Sequence, residues 1–266
     1  MSEQNVSPYR GRFAPTPSGP LHFGSLTTAI GSYLQAKSQN GLWQVRIDDL
    51  DPPRVVKGAS NTILKCLELY GLYWDGPVLY QSSRHDAYQA ALDELNKIGM
   101  IYPCACSRKD IKDSLAANTR TSLIYPGTCR SGLKQGQQAE TWRVKTDSSV
   151  VEFEDLFLGT SSQHVQKEVG DFLVKRVGDY YAYHLAVVVD DAYQGYTEII
   201  RGYDLLESTH RQIFLQKLLN ITPPAYGHLP LVLNNQRKKM SKQNLNEKSI
   251  SISIIDSIVM CNNGYV

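Results

Sequence analysis

Long apolar runs are missing from this chain. No stretch of its 266 residues approaches the roughly 18–20 consecutive apolar residues of a membrane-spanning helix, so no membrane partner is expected. No secretory leader is expected either, since MSEQNVSPYR lacks the basic-then-apolar order of a secretory signal. Cysteines number five, few and odd for a disulfide framework, which favours a reduced compartment and makes the cytoplasm the expected location. Excess charge of one sign is also lacking. Lys and Arg total 28 against 26 Asp and Glu, a net charge of +2, so the totals neither require nor exclude nucleic acid, which a local basic patch can hold. Repeats and low-complexity tracts are absent, and 42% hydrophobic with 20% charged residues is an ordinary globular balance.

What is present begins with GRFAPTPSGPLHFGS at residues 11–25, three prolines and three glycines in fifteen residues. A rigid loop of this kind, leaving a strand and entering a helix, presents backbone N–H groups where unpaired donors and the helix dipole favour phosphate. His22 and Gly24 sit where the helix begins. The helix SLTTAIGSYLQAKSQNG carries Leu26, Ile30, Tyr33 and Leu34 at helical spacing and stops at Asn40-Gly41. LWQVRI and VLYQS read as strands, and NTILKCLELYGL and HDAYQAALDELNKIG as amphipathic helices. This alternation predicts an α/β fold with a Rossmann-like parallel sheet and helices on both faces. Between residues 101 and 170 the pattern breaks into cysteines, turns and short strands such as TWRVK and VVEFEDLFLG, which reads as an inserted α+β subdomain. Strand–helix order resumes with DFLVKR, YHLAVVVDDA, TEIIRG, STHRQIFLQKLL and HLPLVL. The expected organisation is therefore 1–100 and 171–243 as two halves of one catalytic domain, 101–170 as the insertion, and 244–266 as a short tail.

Cys104, Cys106 and Cys129 lie close in sequence, whereas Cys66 and Cys261 stand alone. Three thiols in a C-x-C and a return strand suit a structural Zn²⁺, which ties together a small lobe with little core of its own. Arg12 and Arg201 end two predicted strands, where both can reach a crevice at the carboxyl edge of the sheet. Their planar forks match carboxylates.

HFGS at residues 22–25 and KMSK at 239–242 resemble the two signatures of class I aminoacyl-tRNA synthetases. RFAPTPSGPLHFGS, VRIDDLDPPR, YHLAVVVDDAYQGYTEIIRGYDLL and KMSKQN together resemble the glutamyl type across nearly the whole chain. The resemblance implies a ligase activity: a glutamate carboxylate attacks the α-phosphorus of ATP, giving an adenylate and pyrophosphate. It implies catalytic roles for His22, Lys239 and Lys242, and ATP contacts from His22, Gly24, Ser25 and Lys242, with Mg²⁺ accompanying the nucleotide. Ser25 stands where class I usually has a second histidine, and Gln243 replaces the common final serine of the lysine loop. Glutamate binding is implied for Arg12, Phe13, Ala14, Pro15, Thr16, Asp48, Tyr183 and Arg201. The arginines take the side-chain carboxylate, while Asp48, one methylene shorter than the family glutamate, and Tyr183 take the amino group. Tyr125 is implied as the fourth zinc ligand, with water as the alternative.

Only 23 residues follow KMSKQ, so no large anticodon-reading helical domain is expected, and the chain resembles the truncated glutamyl-Q tRNA(Asp) synthetase family, whose implied acceptor is the queuosine base in the anticodon of tRNA(Asp). Arg54, Lys57, Arg237 and Lys238 are the basic residues expected along the RNA, and a monomer is expected. A minimal glutamyl-tRNA synthetase, another nucleotidyltransferase of the superfamily and a non-catalytic RNA-binding remnant are the alternatives.

Overall fold

A computed structural model describes residues 8–117, 124–178 and 180–231, except the side chains of 115–117. Lys239, Lys242, Arg237, Lys238, Cys261 and the tail 244–266 lie outside the described residues.

The chain opens with β1 (Arg10–Phe13), α1 (Phe23–Ser38), β2 (Leu42–Ile47), α2 (Ala59–Leu69), β3 (Leu79–Tyr80) and α3 (His85–Lys97). β1, β2 and β3 form a parallel sheet in that order. Parallel pairing needs a crossover, which α1 and α2 provide. Period-2 alternation then sorts the side chains. Phe13, Trp43, Val45 and Ile47 pack with Leu26, Ala29 and Ala36 of α1 and with Ile63 and Leu67 of α2. Arg12 and Arg46, on the opposite face, meet Asp191 of a later helix. Helices therefore cover both faces, as the alternation predicts.

α1 begins at His22 and ends as its sequence dictates: Asn40 takes a positive φ of 50°, and the Gly41 N–H returns to the Ala36 carbonyl at 2.9 Å. Gly31 lets the helix lie on the sheet, since a Cβ there would sit 2.5 Å from Leu229 Cδ1.

Next come β4 (Ile101–Cys104), α4 (Arg108–Ala117), β5 (Thr141–Val144), β6 (Val150–Asp155), β7 (Gly159–His164), α5 (Val165–Glu168), β8 (Leu173–Arg176) and β9 (Tyr180–Tyr181). The chain continues through α6 (Tyr183–Tyr193), β10 (Glu198–Gly202), α7 (Leu206–Leu218) and β11 (Ala225–Leu229). β10 lies beside β1, where the Arg10 N–H donates to Thr197 Oγ1 at 2.9 Å and the Thr197 N–H to the Arg10 carbonyl at 3.0 Å, and it belongs to a second sheet of order β10-β11-β6-β7. β10 and β11 pair in parallel over five positions.

Strand pairing departs from the expected boundaries. β8, read as the return of the parallel sheet, pairs antiparallel with β5 in the sheet β4-β5-β8-β9. β6, read as part of the insertion, pairs with β11 at Tyr226 and Asp155, where the buried Asp155 carboxylate is hydrogen-bonded by His228 on that strand, through both its N–H and its ring. VLYQS yields only a two-residue strand before Gln81–Ser83 turns into a single helical turn. β11 starts before HLPLVL and stops at Leu229, where Pro230 brings no N–H for a ladder. No described helix is long and apolar enough to cross a membrane.

Candidate active site

The opening loop is fixed by its carbonyls. Pro15 O accepts from the Asp48 N–H at 3.0 Å and Pro17 O from the Val56 N–H at 2.9 Å, while Gly19 adopts a φ of 124°. A side chain there would be strained, so this glycine is demanded by the backbone. His22 caps α1: Nδ1 accepts from the Ser25 N–H at 3.2 Å, and Nε2 lies 2.9 Å from Ser25 Oγ. With Nδ1 bare, Nε2 carries the proton and donates to the hydroxyl.

An open crevice of ≈ 320 Å³ lies over this helix start. Its walls include Arg12, Phe13, Ala14, Pro15, Thr16, His22, Gly24, Ser25, Tyr183 and Arg201. These are all of the expected glutamate- and ATP-contacting residues within the described part except Asp48. Pro230 and Leu231 complete one side, eight residues before Lys239 in the sequence.

Asp48 is not on the wall. Its Oδ1 accepts from Arg46 Nε at 2.8 Å, and both side chains are buried. Burial raises the Asp48 pKa even against the pull of Arg46. Oδ1 is thus already engaged by a neighbouring guanidinium.

Arg12 is spoken for as well. Its Nε and Nη2 donate to the two oxygens of Asp191, each at 2.7 Å, and Arg46 Nη1 donates to Asp191 Oδ1 at 2.5 Å. Burial works against the charged carboxyl of Asp191, but Arg12 and Arg46 outweigh it and hold its pKa below the usual value. Two guanidiniums and two carboxylates thus form a neutral buried cluster beneath the crevice. Arg201 is different. Nε donates to His228 Nε2 at 3.1 Å and Nη2 to Thr209 Oγ1 at 2.6 Å, both neutral acceptors. Nη1 is buried with no hydrogen-bond partner, an unspent donor of a kind that folded proteins rarely leave.

Sequence reasoning missed Arg46, Asp191, Thr209, His228 and Asp155. The available signal was a charged or polar residue set into an apolar run, as Arg46 is in LWQVRI and His228 in AYGHLPL. Such residues are rarely buried without a partner.

The cysteines gather elsewhere. The sulfurs of Cys104, Cys106 and Cys129 lie within 4.8 Å of one another, and Tyr125 Oη lies 3.4 Å from Cys104 Sγ and 3.5 Å from Cys106 Sγ. Tetrahedral zinc with Zn–S bonds of about 2.3 Å would separate its sulfurs by about 3.8 Å, so the cluster has the right span. Burial pushes the Cys104 thiol up, but hydrogen bonds from Tyr125, the Cys106 amide and Arg143 prevail and bring it down to about 7. The thiolate is the ligating form. The thiol set could hold a metal, and the Tyr125 hydroxyl lies beside two of its sulfurs.

The family described as tRNA synthetases class I (E and Q), catalytic domain, matches residues 9–257. A glutamyl-Q tRNA(Asp) synthetase of Dechloromonas aromatica (strain RCB) is 53% identical over 238 residues, covering 89% of this chain and 79% of that protein. The chain belongs to this family. Another glutamyl-Q tRNA(Asp) synthetase, from Aromatoleum aromaticum, is 50% identical over 92% of this chain and 77% of its own length. The crystal structure of a glutamate tRNA ligase from Elizabethkingia meningosepticum in complex with its amino acid superposes with a TM-score of 0.79 at 26% identity. It covers 89% of this chain, which spans about half (52%) of that ligase. The parallel sheet with its helices is thus the class I synthetase catalytic fold, and membership of the glutamyl-Q tRNA(Asp) synthetase family makes the chain a ligase.

Proposed function

We propose that the crevice activates glutamate with ATP, without tRNA, and that the activated glutamate passes to the queuosine base in the anticodon of tRNA(Asp). The observation that carries the amino-acid half is the Arg201 guanidinium in the wall that also holds the start of α1: its partners His228 and Thr209 are neutral, and its buried Nη1 has none. A side-chain carboxylate satisfies that guanidinium; the neutral amide of glutamine brings no charge to it. Arg12, already neutralised by Asp191, adds shape and hydrogen bonding rather than net charge. Tyr183, the first residue of α6 and 39% exposed, has its hydroxyl available for the amino group.

The triphosphate belongs at the other end. His22, Gly24, Ser25 and the first amides of α1 favour anionic phosphate, with Mg²⁺ accompanying the nucleotide. The glutamate α-carboxylate attacks the α-phosphorus and pyrophosphate leaves. Lys239 and Lys242 are proposed to stabilise the developing charge. The acceptor rests on the relatives, which are named for tRNA(Asp). Arg54 and Lys57, exposed beside the opening loop, are proposed to hold RNA phosphates together with Arg237 and Lys238.

Glutamate alone should support ATP–pyrophosphate exchange in the absence of tRNA. Radiolabel should then move to tRNA(Asp) carrying queuosine and not to the same tRNA with guanosine at the wobble position. Equal exchange with glutamine would overturn the substrate. Label on both tRNA(Asp) samples, or on the terminal ribose of tRNA(Glu), would favour a minimal conventional synthetase.

Cys104, Cys106, Cys129 and Tyr125 are proposed to hold one structural Zn²⁺, which a cytoplasmic, reducing setting would leave its thiols free to bind. Bound there, the ion cross-links the end of β4 to the segment carrying Tyr125. Metal analysis of purified protein should find about one zinc per chain, lost in Cys104→Ser with a lower melting temperature. Intact protein free of zinc would return the cysteines to ordinary packing.

A further inference from the structure

Behind Arg201 lies a second buried polar chain. His228, fully buried on β11, lies with Nδ1 2.5 Å from Asp155 Oδ2, and its Nε2 accepts from Arg201 Nε at 3.1 Å. The other carboxylate oxygen, Asp155 Oδ1, accepts from the N–H groups of Phe157 at 3.0 Å, Leu158 at 3.1 Å and His228 at 3.3 Å. The rings of Phe153 and Tyr226 lie 6.2 Å and 6.4 Å from that of His228, and Arg201 sits 5.0 Å over Tyr226. We propose that Asp155 and His228 are positioning residues for substrate selection. Asp155 fixes the Nδ1–H tautomer of His228, and the bare Nε2 aims Arg201 so that Nη1 remains the unspent donor. This inference rests on the reading of Arg201 as the group that takes the substrate's side-chain carboxylate.

The tautomer is forced from both sides. Arg201 Nε is always a donor, so it needs an unprotonated Nε2; the Asp155 carboxylate is only an acceptor when ionised, so it needs Nδ1–H. Burial disfavours the charged forms of both His228 and Asp155. The imidazole's pKa is lowered accordingly, while its hydrogen bond and the backbone amides hold the Asp155 carboxyl below its ordinary value. The chain of contacts is therefore carboxylate, neutral imidazole, guanidinium. A comparable carboxylate elsewhere in enzymology sets a histidine's tautomer without exchanging protons with substrate.

Asp155→Asn tests this directly. The three backbone N–H groups retain the amide oxygen, which turns the NH₂ toward His228 Nδ1 and drives the ring proton to Nε2, against Arg201. Imidazole ¹⁵N spectra should show unprotonated Nε2 in the parent protein and Nε2–H in the variant. In glutamate-dependent pyrophosphate exchange the glutamate KM should rise about tenfold or more, with the ATP KM changed by less than about twofold. His228→Gln, which returns an acceptor near Nε2, should retain more glutamate affinity than His228→Leu. In an Arg201→Lys background the effect of Asp155→Asn should vanish, since it acts through the guanidinium. A lower melting temperature with an unchanged glutamate KM, or an equal penalty in the Arg201→Lys background, would overturn the proposal. Should Arg201→Lys alone leave the glutamate KM unchanged, the underlying reading of Arg201 fails. A rise with Arg201→Lys but none with Asp155→Asn defeats only the positioning role.

Discussion

Arg201→Leu is expected to lower kcat/KM for glutamate in pyrophosphate exchange by about 30- to 5,000-fold, the equivalent of roughly 2–5 kcal/mol for removing one partner of a buried charge pair. Exchange with saturating glutamine, expected near background in the parent, should change far less, because the amide never made the ion pair. The ratio of the two substrates is therefore the measurement, and the variant should lose selectivity rather than all activity. Arg201 is the residue to choose because His228 and Thr209 leave its charge uncompensated by direct contact. An equal fall for both substrates would assign Arg201 to the frame of the crevice and not to recognition.

Asp191→Asn should strike stability instead. Arg12 and Arg46 both end on this carboxylate, with side chains 5% and 0% exposed, and removing the anion leaves two like charges facing each other out of water. Breaking such an arrangement from one side costs about 3–5 kcal/mol, a large share of a typical margin of about 5–15 kcal/mol. Urea or thermal unfolding should show it, and an unchanged midpoint would contradict the cluster. The pH dependence has a definite sign. The Asp191 pKa is lower in the folded protein than its ordinary 3.8, so its contribution is complete above that value and is lost as pH falls through the folded pKa. Acid unfolding of the Asn variant should accordingly have a shallower limb below about pH 4 than the parent, with the unfolded carboxyl near 3.9 as reference.

Much of this was legible in the residues. Proline and glycine dictate the backbone of the opening loop, and apolar spacing dictates α1, α2 and α3, so those local features and the crevice wall beside them could be read before any coordinates. Pairing partners could not. β6 and β8 carry similar short alternating patterns, and nothing local tells which sheet each will join; for β6 the buried contact that accompanies the pairing, Asp155 with His228, spans 73 positions. The same range of action hid the ion cluster, where Arg12 and Asp191 are 179 positions apart. Asp48 was read as a contact for the substrate amino group, but its partner Arg46, two positions away, was not weighed. The lysine loop, central to the sequence reading, lies outside the described residues, and its role stays with the motif.

The joint between β1 and β10 has a consequence for synthesis of the chain. Arg10 and Thr197 are 187 positions apart, so at about 5–20 residues per second the edge of β1 waits roughly 10–40 s for its neighbour to emerge. During that interval the first three strands stand as a half-sheet with an open hydrogen-bonding edge, a template for pairing with other nascent chains. The crevice, with one wall from each end of the sequence, cannot exist until β10 docks. A growing chain therefore gains its ligand-binding ability only when β10 arrives, which makes added substrate a natural stabiliser of the newly finished protein.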